Sequence, residues 1–260
     1  MKRKRMMRVA AAGLAIMAIT SACGGDDDDS AGDTSDYCEA SLALETVPEP
    51  DIDFETATPE EITAATKSFA TETFIPLAQR LKDAATDEVM ADIDIGMAAL
   101  NDLAETGDFE AALGAPEVDA ALDRLHTHDL ETCGWNTVDV TAADYAFQGV
   151  PSELDAGVAS FEFENGGTEI HEMVLFRRND GVTETVEELL ALPDEEVQTK
   201  TTMVAATGAS PGESEYAIAD LTPGTYAMLC FVPEGTTSED AYGTGQPHFM
   251  RGMVFEFTVT

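Results

Sequence analysis

The spacing of apolar residues changes near Asn136, and this change limits the folds that the chain can adopt. Before that point apolar side chains recur at every third or fourth position, as they do between Val89 and Leu103, which predicts amphipathic helices. After it they alternate with polar residues, as in Phe161-Glu162-Phe163-Glu164, which predicts half-buried strands. The sequence therefore predicts an α+β chain with a helical domain over residues 37–136 and an all-β domain over residues 137–260.

Start and stop signals divide the helical domain into four helices. A short first helix is predicted around residues 37–44. The run Thr58-Pro59-Glu60-Glu61 predicts a second, because Thr is favoured at the N-cap, Pro at the first helical position and Glu at the third. A third helix is predicted to begin at Thr86-Asp87-Glu88, and a fourth to extend from about Pro116 to Cys133-Gly134. Together they predict an up-and-down four-helix bundle.

The second domain contains many short apolar segments separated by turn signals. Pro211-Gly212 and Pro223-Gly224 each precede a segment typical of a strand. Thr185-Val186-Glu187-Glu188 predicts a short helix that ends before Pro193. Such a pattern predicts two packed sheets, that is, a β-sandwich.

The first 36 residues predict export. Residues 1–22 combine basic residues with an apolar run from Val9 to Ile19 that is too short to span a bilayer. Thr20-Ser21-Ala22-Cys23 resembles a bacterial lipoprotein cleavage box, so Cys23 is the predicted lipidation site and the outer face of the cytoplasmic membrane the predicted location. The alternative is secretion after an ordinary signal-peptide cut. Residues 23–36 are acidic and have no large apolar side chain before Tyr37, which predicts a disordered tether.

The formal net charge of −38 narrows the classes of partner. A surface this acidic repels phosphates, so nucleic acid and anionic lipid surfaces are excluded as ligands. The same charge favours a cationic partner protein, or it serves solubility in high salt. The composition is consistent with both explanations.

The four cysteines have different predicted roles. With Cys23 assigned to lipid, Cys38 and Cys133 lie in the same domain and are predicted to form a disulfide in an oxidising compartment. Cys230 then remains as a free thiol. An exported protein with a free thiol needs a reason for it, and a bound metal is one.

Four residues of the last third form a candidate metal site: His171, Cys230, His248 and Met253. Two imidazoles and a thiolate in a plane, with a weak axial thioether, are the ligands of a type 1 copper site. Such a site keeps nearly the same geometry in Cu(I) and Cu(II). The predicted cofactor is therefore one copper ion, and the predicted function is one-electron transfer.

The motifs around these residues resemble those of the cupredoxins, the plastocyanin-like blue copper domains. They are Asn165-Gly166-Gly167 before His171, the Pro223-Gly224-Thr225-Tyr226 turn and strand before Cys230, and the four residues between His248 and Met253. The resemblance covers residues 137–260. It implies a Greek-key sandwich with His171, Cys230 and His248 as equatorial ligands and Met253 as the axial ligand.

Two features depart from that family. The loop from Cys230 to His248 holds 17 residues, Phe231 to Pro247, where the family has a few, and we expect this length to loosen the second imidazole. Glu172 stands where members often carry an Asn that braces the Cys loop. A carboxylate there is expected to stabilise Cu(II) and to lower the potential.

Other functions are consistent with the same residues. His171-Glu172-Met173 and His248-Phe249-Met250 are His-x-Met pairs, so Met173 and Met250 are alternative ligands for capture or delivery of Cu(I). A third hypothesis is a metal-free binding or assembly lipoprotein. No catalytic motif is evident, so an enzyme is not predicted. His126 and His128 point to different sides of a helix and are interpreted as structural residues.

Overall fold

The structure is a computed structural model that describes residues 34–47, 50, 52, 56–238 and 241–260. Its contacts divide the chain into two compact units. Among the described residues, one unit contains residues 34–44, which are most of the first helix α1 (Thr34–Glu45), and the segment Pro50–Gly134. The other contains residues 45–47 and Trp135–Thr260. The predicted signal peptide, Cys23 and most of the predicted tether lie outside the described residues. The end of the tether does not, and it is helical, since α1 begins at Thr34 rather than at Tyr37.

The first unit is helical, as its apolar spacing predicted. Its α-helices are α1 (Thr34–Glu45), α2 (Pro59–Phe69), α3 (Ile75–Ala84), α4 (Met90–Thr106), α5 (Phe109–Leu113) and α6 (Pro116–Cys133). A π-helical turn, Ala70–Phe74, joins α2 to α3. The short α5 was not predicted, and α4 begins at Met90 rather than at Thr86 because residues 87–89 form a turn. The four-helix bundle stays a prediction.

Local signals fix two of the helix ends as predicted. The Thr58 side chain accepts a hydrogen bond from the Glu61 backbone N–H, and the Glu61 carboxylate accepts one from the Thr58 backbone N–H. These two bonds satisfy donors that the first helical turn would otherwise leave without partners. At the other end of the unit, α6 stops at Gly134, whose φ of 64° is in the left-handed region that glycine tolerates.

A disulfide and a buried carboxylate connect α1 to α6. Cys38 and Cys133 are bonded, as predicted, with their Cα atoms 5.5 Å apart. One helical turn before Cys133, Asp129 is buried and accepts hydrogen bonds from the hydroxyls of Tyr37 (2.7 Å) and Ser41 (2.6 Å). Burial is the largest influence on Asp129 and raises its pKa above the usual range, although both hydroxyls act in the opposite direction.

The second unit is built from two sheets of mixed strand direction. Its strands are β1 (Asn136–Ala143), β2 (Ala146–Gln148), β3 (Glu153–Leu154), β4 (Gly157–Asn165), β5 (His171–Arg178), β6 (Thr201–Ala209), β7 (Ser214–Leu221), β8 (Gly224–Leu229) and β9 (Val254–Val259). The order is β2-β1-β4-β7 in one sheet and β3-β9-β8-β5-β6 in the other. The pairs β1/β4 and β3/β9 are parallel, and the remaining pairs are antiparallel.

Alternating side chains from the two sheets form the core of this unit. Phe161 and Phe163 of β4 are fully buried, as the alternation predicted, and so are Met173 and Leu175 of β5. This confirms an α+β chain whose β-domain is built from two packed sheets. Its cupredoxin-like character stays a prediction. The Greek-key connection stays a prediction. The prediction of an all-β domain is too simple, because two helices, α7 (Val186–Leu190) and α8 (Asp194–Lys200), lie between β5 and β6.

Helix α7 explains why β8 is buried on both faces. Thr185 and Glu188 form the predicted capping box at its start. Val186 then packs with Ala227 and Leu229, on the face of β8 opposite to Tyr226 and Met228. No helix among the described residues has both the length and the apolar character needed to cross a membrane.

Candidate metal centre

Three predicted ligands come together at one end of the sandwich. His171 is the first residue of β5, Cys230 directly follows β8, and His248 begins a 3₁₀ helix, His248–Arg251. Strand alternation aims the first two inward, because His171 shares its face with buried Met173, and Cys230 shares its face with buried Met228. All three side chains have 0% exposure.

Two of the three donor pairs are as close together as ligands of a single ion. One donor atom from each residue lies within 4.8 Å of the other two. The Nδ1 atoms of His171 and His248 are 3.1 Å apart, and Cys230 Sγ is 3.4 Å from His248 Nδ1. Donors about 2.0–2.3 Å from one ion, at angles of about 100–110°, lie about 3.1–3.6 Å from each other. The chemistry and spacing of this set therefore fit a type 1 copper site.

The long loop between Cys230 and His248 is closed at its base, which corrects the expectation that it loosens His248. Pro233 and Pro247 form a β-bridge, and Glu234 N–H donates to the Gln246 carbonyl oxygen (3.0 Å). His248 N–H donates to the Val232 carbonyl oxygen at 2.9 Å. The two ends of the loop thus pair with each other as the base of a hairpin does. Its paired base holds His248 beside Cys230 whatever the length of the loop.

The methionines occupy different environments. Met253 is fully buried, and its N–H donates to the His248 carbonyl oxygen (3.1 Å), which keeps its backbone next to the cluster. Met173 is also fully buried, on the same face as His171. Met250 is 57% exposed, whereas His248 is completely buried. The structure therefore does not bring the predicted His248–Met250 pair into one environment.

The free thiol of Cys230 is held in a dry site. Burial raises its pKa to about 12, and backbone N–H groups of Glu172 and Val232 act in the opposite direction. The Glu172 N–H lies 3.4 Å from Sγ. A thiol with so high a pKa stays protonated near neutral pH unless a cation replaces the proton.

Glu172 performs the bracing that its position predicted for an Asn. Its Oε1 accepts the N–H of Phe231, the residue after Cys230, at 2.8 Å. Burial raises the pKa of this carboxyl group, and the bond from Phe231 lowers it. A carboxylate at this position therefore contacts the backbone directly after Cys230.

Sequence reasoning missed two carboxylates at the remote nitrogens of the imidazoles. Asp144 Oδ1 lies 3.3 Å from His171 Nε2, and Glu169 Oε2 lies 3.0 Å from His248 Nε2. Hydrogen bonds chiefly from Thr168 lower the pKa of Asp144. Burial raises the pKa of Glu169, but bonds from Gly235 and His248 outweigh it and the pKa falls below its usual range. Burial lowers the pKa of His171, which favours the neutral imidazole that binds metals.

Asn165 holds the segment that leads to His171. Its Nδ2 donates to the carbonyl oxygens of Glu169 (2.9 Å) and Ala209 (2.8 Å), and its Oδ1 accepts from Gly167 N–H (2.9 Å). The Asn-Gly-Gly sequence was the signal for this turn. The position of Asp144 had a weaker signal, a two-residue gap between alternating segments.

The chain resembles known proteins at the level of solved structures. No family model and no curated protein matches the chain. Among solved structures, auracyanin A, a "blue" copper protein of Chloroflexus aurantiacus, is 19% identical over 48% of this chain and 98% of its own, with a TM-score of 0.32. A reduced rusticyanin is 20% identical over 48% and 80%, with a TM-score of 0.29. A multicopper oxidase is 18% identical over 47% and 41%, with a TM-score of 0.26.

These matches cover about half of this chain and include a blue copper protein. The chain itself has a buried His-Cys-His cluster, whose residue types fit a type 1 copper site. The superpositions have TM-scores below 0.5, so the function below is derived from side-chain geometry and chemistry.

Proposed function

We propose that this chain is a type 1 copper protein that carries single electrons and is tethered by lipid on Cys23 to the outer face of the cytoplasmic membrane. One observation carries the proposal. A thiol and two imidazoles from three separate elements converge within 4.8 Å in a site with no exposed ligand side chain. Burying three polar groups so close together is costly unless a cation binds them.

Strand pairing and backbone hydrogen bonds keep this site rigid. Copper bound there supplies a one-electron Cu(II)/Cu(I) couple. Cys230 and His171 are placed by strand pairing, and His248 by the paired base of its loop. Met253 is the proposed axial ligand. Because the backbone around each ligand is hydrogen-bonded, the site resists rearrangement when its charge changes.

Burial favours a carrier over an enzyme. His171, Cys230 and His248 are completely shielded from solvent, so a substrate has no direct route to the donor atoms. An electron needs no such route. The proposed partner is a cationic redox protein, attracted by a chain that has 51 acidic and 13 basic residues.

The decisive experiment compares the wild-type chain with Cys230→Ser, both purified as full-length protein in detergent. After Cu(II) is added, the wild type is expected to develop an intense visible thiolate-to-copper band and the variant none. Among the described cysteines, Cys38 and Cys133 form a disulfide and Cys230 is free. The variant therefore replaces the free thiol and leaves the disulfide intact. A colourless wild type, or a band retained in the variant, would refute the type 1 site.

The partner proposal has its own test. Electron exchange between the copper-loaded chain and a cationic cytochrome is expected to slow as salt is raised from about 10 to 150 mM, because the Debye length falls from about 30 to 8 Å. An anionic redox protein serves as the control and should show the opposite trend. Equal salt dependence for both would remove the electrostatic argument for a cationic partner.

A further inference from the structure

We propose that Asp144 and Glu169 are positioning residues that fix both imidazoles with Nδ1 toward the metal and make the site favour Cu(II) over Cu(I). This inference rests on the proposed copper site and deepens it. Each carboxylate faces the remote nitrogen of one histidine, so neither histidine depends on solvent or a backbone carbonyl for that contact.

Glu169 makes the shorter of the two contacts. Its Oε2 lies 3.0 Å from His248 Nε2 and also accepts the N–H of Gly235 at 2.7 Å. Gly235 belongs to the long loop after Cys230. That loop also supplies the carbonyl oxygen of Thr236, which accepts the N–H of Ile170 at 2.7 Å. The insertion that sets this chain apart from the family therefore holds Glu169 in place.

Asp144 is placed by a two-residue turn. Ala143 of β1 pairs with Ala146 of β2, which leaves Asp144 and Tyr145 as the turn between them. Thr168 fixes both oxygens of Asp144, with its N–H at 3.0 Å from Oδ1 and its hydroxyl at 3.1 Å from Oδ2. The contact between Asp144 and His171 is longer, at 3.3 Å, so we expect it to contribute less than the contact of Glu169.

The same turn reaches the second histidine through Tyr145. Tyr145 has a φ of 68°, a left-handed conformation that is uncommon for a large side chain. Its ring packs edge-on to His248 with centroids 5.1 Å apart, and its hydroxyl lies 3.4 Å from Glu169 Oε1. Strained backbone of this kind persists where surrounding contacts demand it. Here the strained turn places Asp144 next to His171 and the Tyr145 ring next to His248.

Space at Gly167 supports the same arrangement. A Cβ at this position would lie 2.5 Å from His171 Nε2 and 2.6 Å from Asp144 Oδ1. Any side chain larger than hydrogen would push the carboxylate away from the imidazole. Glycine at this position is thus required by the contact between the two side chains.

The chemical consequence follows from the direction of these hydrogen bonds. In a neutral imidazole that donates Nε2–H to a carboxylate, the other nitrogen, Nδ1, carries the lone pair that can bind a metal. A carboxylate acceptor makes the imidazole a stronger electron donor. Cu(II) gains more from a strong donor and from a nearby negative charge than Cu(I), since it carries the larger charge.

The test measures Zn(II), Cu(II) and Cu(I) affinities by competition with chelators for the full-length chain, Glu169→Gln and Asp144→Asn. Glu169→Gln is expected to lose about 10–100-fold in Zn(II) and Cu(II) affinity and less in Cu(I) affinity. Each tenfold difference between the two copper states raises the midpoint potential by about 59 mV. Asp144→Asn should change in the same direction and by less.

Glu234→Gln is the matched control. The Glu234 carboxylate lies beside the same residues, 3.3 Å from the Tyr145 hydroxyl and 3.3 Å from Arg251, and these side-chain contacts are to neither ligand histidine. Its removal takes away one negative charge without removing a hydrogen bond to a ligand. If Glu234→Gln shifts the potential as much as Glu169→Gln, general electrostatics explains the effect and the proposal is wrong.

NMR of the zinc-loaded protein separates this inference from the copper function. Long-range ¹⁵N–¹H correlations should show Nε2–H and metal-bound Nδ1 on both histidines, and Nε2 ligation or no zinc binding would overturn the inference. Correct tautomers in a chain without a blue band would instead refute the electron carrier and leave the positioning roles standing.

Discussion

The two units of this chain bury their polar side chains in opposite ways. In the helical unit, Asp129 is surrounded by hydroxyl donors from Tyr37 and Ser41, and the three groups satisfy one another. In the β-unit, the Nδ1 atoms of His171 and His248 face each other at 3.1 Å beside a thiol. The first arrangement is complete as protein. The second becomes complete when a cation joins its donors.

The two pairs of histidines show the same difference. His126 and His128 lie on one helix, and His128 packs edge-on against the Tyr37 ring and contacts Thr132. His171 and His248 come from separate elements, and they lie with Cys230 in one cluster of side chains that could hold a metal ion. Burial alone therefore does not identify a site. A site is identified when several side chains that can bind a metal bring their donor atoms to one point.

The largest expected effect is the loss of copper binding when a histidine of the β-unit is replaced, and not when one of the helical unit is replaced. His171→Ala should abolish the blue band and lower Cu(II) affinity by more than about 100-fold, since even partners behind a ligand contribute about 10–100-fold. His128→Ala is the matched change in the helical unit and should leave both unchanged. Titration with Cu(II), followed by absorption, measures both. An altered band in His128→Ala would break the functional separation of the units.

The disulfide should matter only to the helical unit. Removing it with Cys38→Ser and Cys133→Ser frees a loop with a sequence separation of 95 residues, which the chain-entropy model values at about 4–5 kcal/mol. The helical circular dichroism signal should melt earlier while the copper band keeps its transition. Equal loss of both signals would show that the units unfold together.

The buried Asp129 gives a smaller effect. Asp129→Ala leaves the hydroxyls of Tyr37 and Ser41 without this acceptor and should lower the free energy of unfolding by about 2–4 kcal/mol. Chemical denaturation followed at helical wavelengths measures the loss. Asp94→Ala is the control, because its carboxylate pairs with Lys82 at the surface and is itself 55% exposed, and the change should cost below about 1 kcal/mol.

The pH dependence of stability follows from the same carboxyl group. Burial raises the pKa of Asp129 in the folded chain above 3.8, the ordinary value that applies to the unfolded chain. At a pH between the unfolded-state and folded-state pKa values, the folded chain therefore binds more protons than the unfolded chain. Stability of the helical unit should therefore fall as pH rises through that window. Asp129→Asn should remove this slope. A slope that is unchanged in the variant would assign the effect to another group.

The smallest expected effects come from the loss of a helix N-cap, which can be tested in both units. Thr58 and Thr185 each complete a capping box, with Glu61 and Glu188. Replacing either Thr by Ala should cost about 1 kcal/mol. Thr58→Ala should lower only the helical transition, and Thr185→Ala only that of the β-unit, as differential scanning calorimetry can resolve. The paired Ser substitutions keep the capping oxygen and should recover most of the loss.

Much of the fold and of the site was visible in local sequence. The capping signals at Thr58 and Thr185, the helix ending at Gly134 and the alternation around Phe161 each depend on neighbours within a few residues, and each prediction is confirmed. The Cys38–Cys133 disulfide is confirmed as well. The additional helix α8 was missed. The parallel pairing of β1 with β4 was missed as well, because pairing partners distant in sequence leave no local signal.

The sequence by itself determined which chemistry is available: the thiol of Cys230, the imidazoles of His171 and His248, and a strongly acidic chain. Only the tertiary structure decided how those groups meet. The hairpin base at Pro233 and Pro247 brings His248 to Cys230, and the Asp144-Tyr145 turn brings its carboxylate to His171. The reason is physical. Residue types and periods are read within one or two turns of chain, whereas hydrogen bonds between residues 24 to 79 positions apart depend on how whole sheets pack.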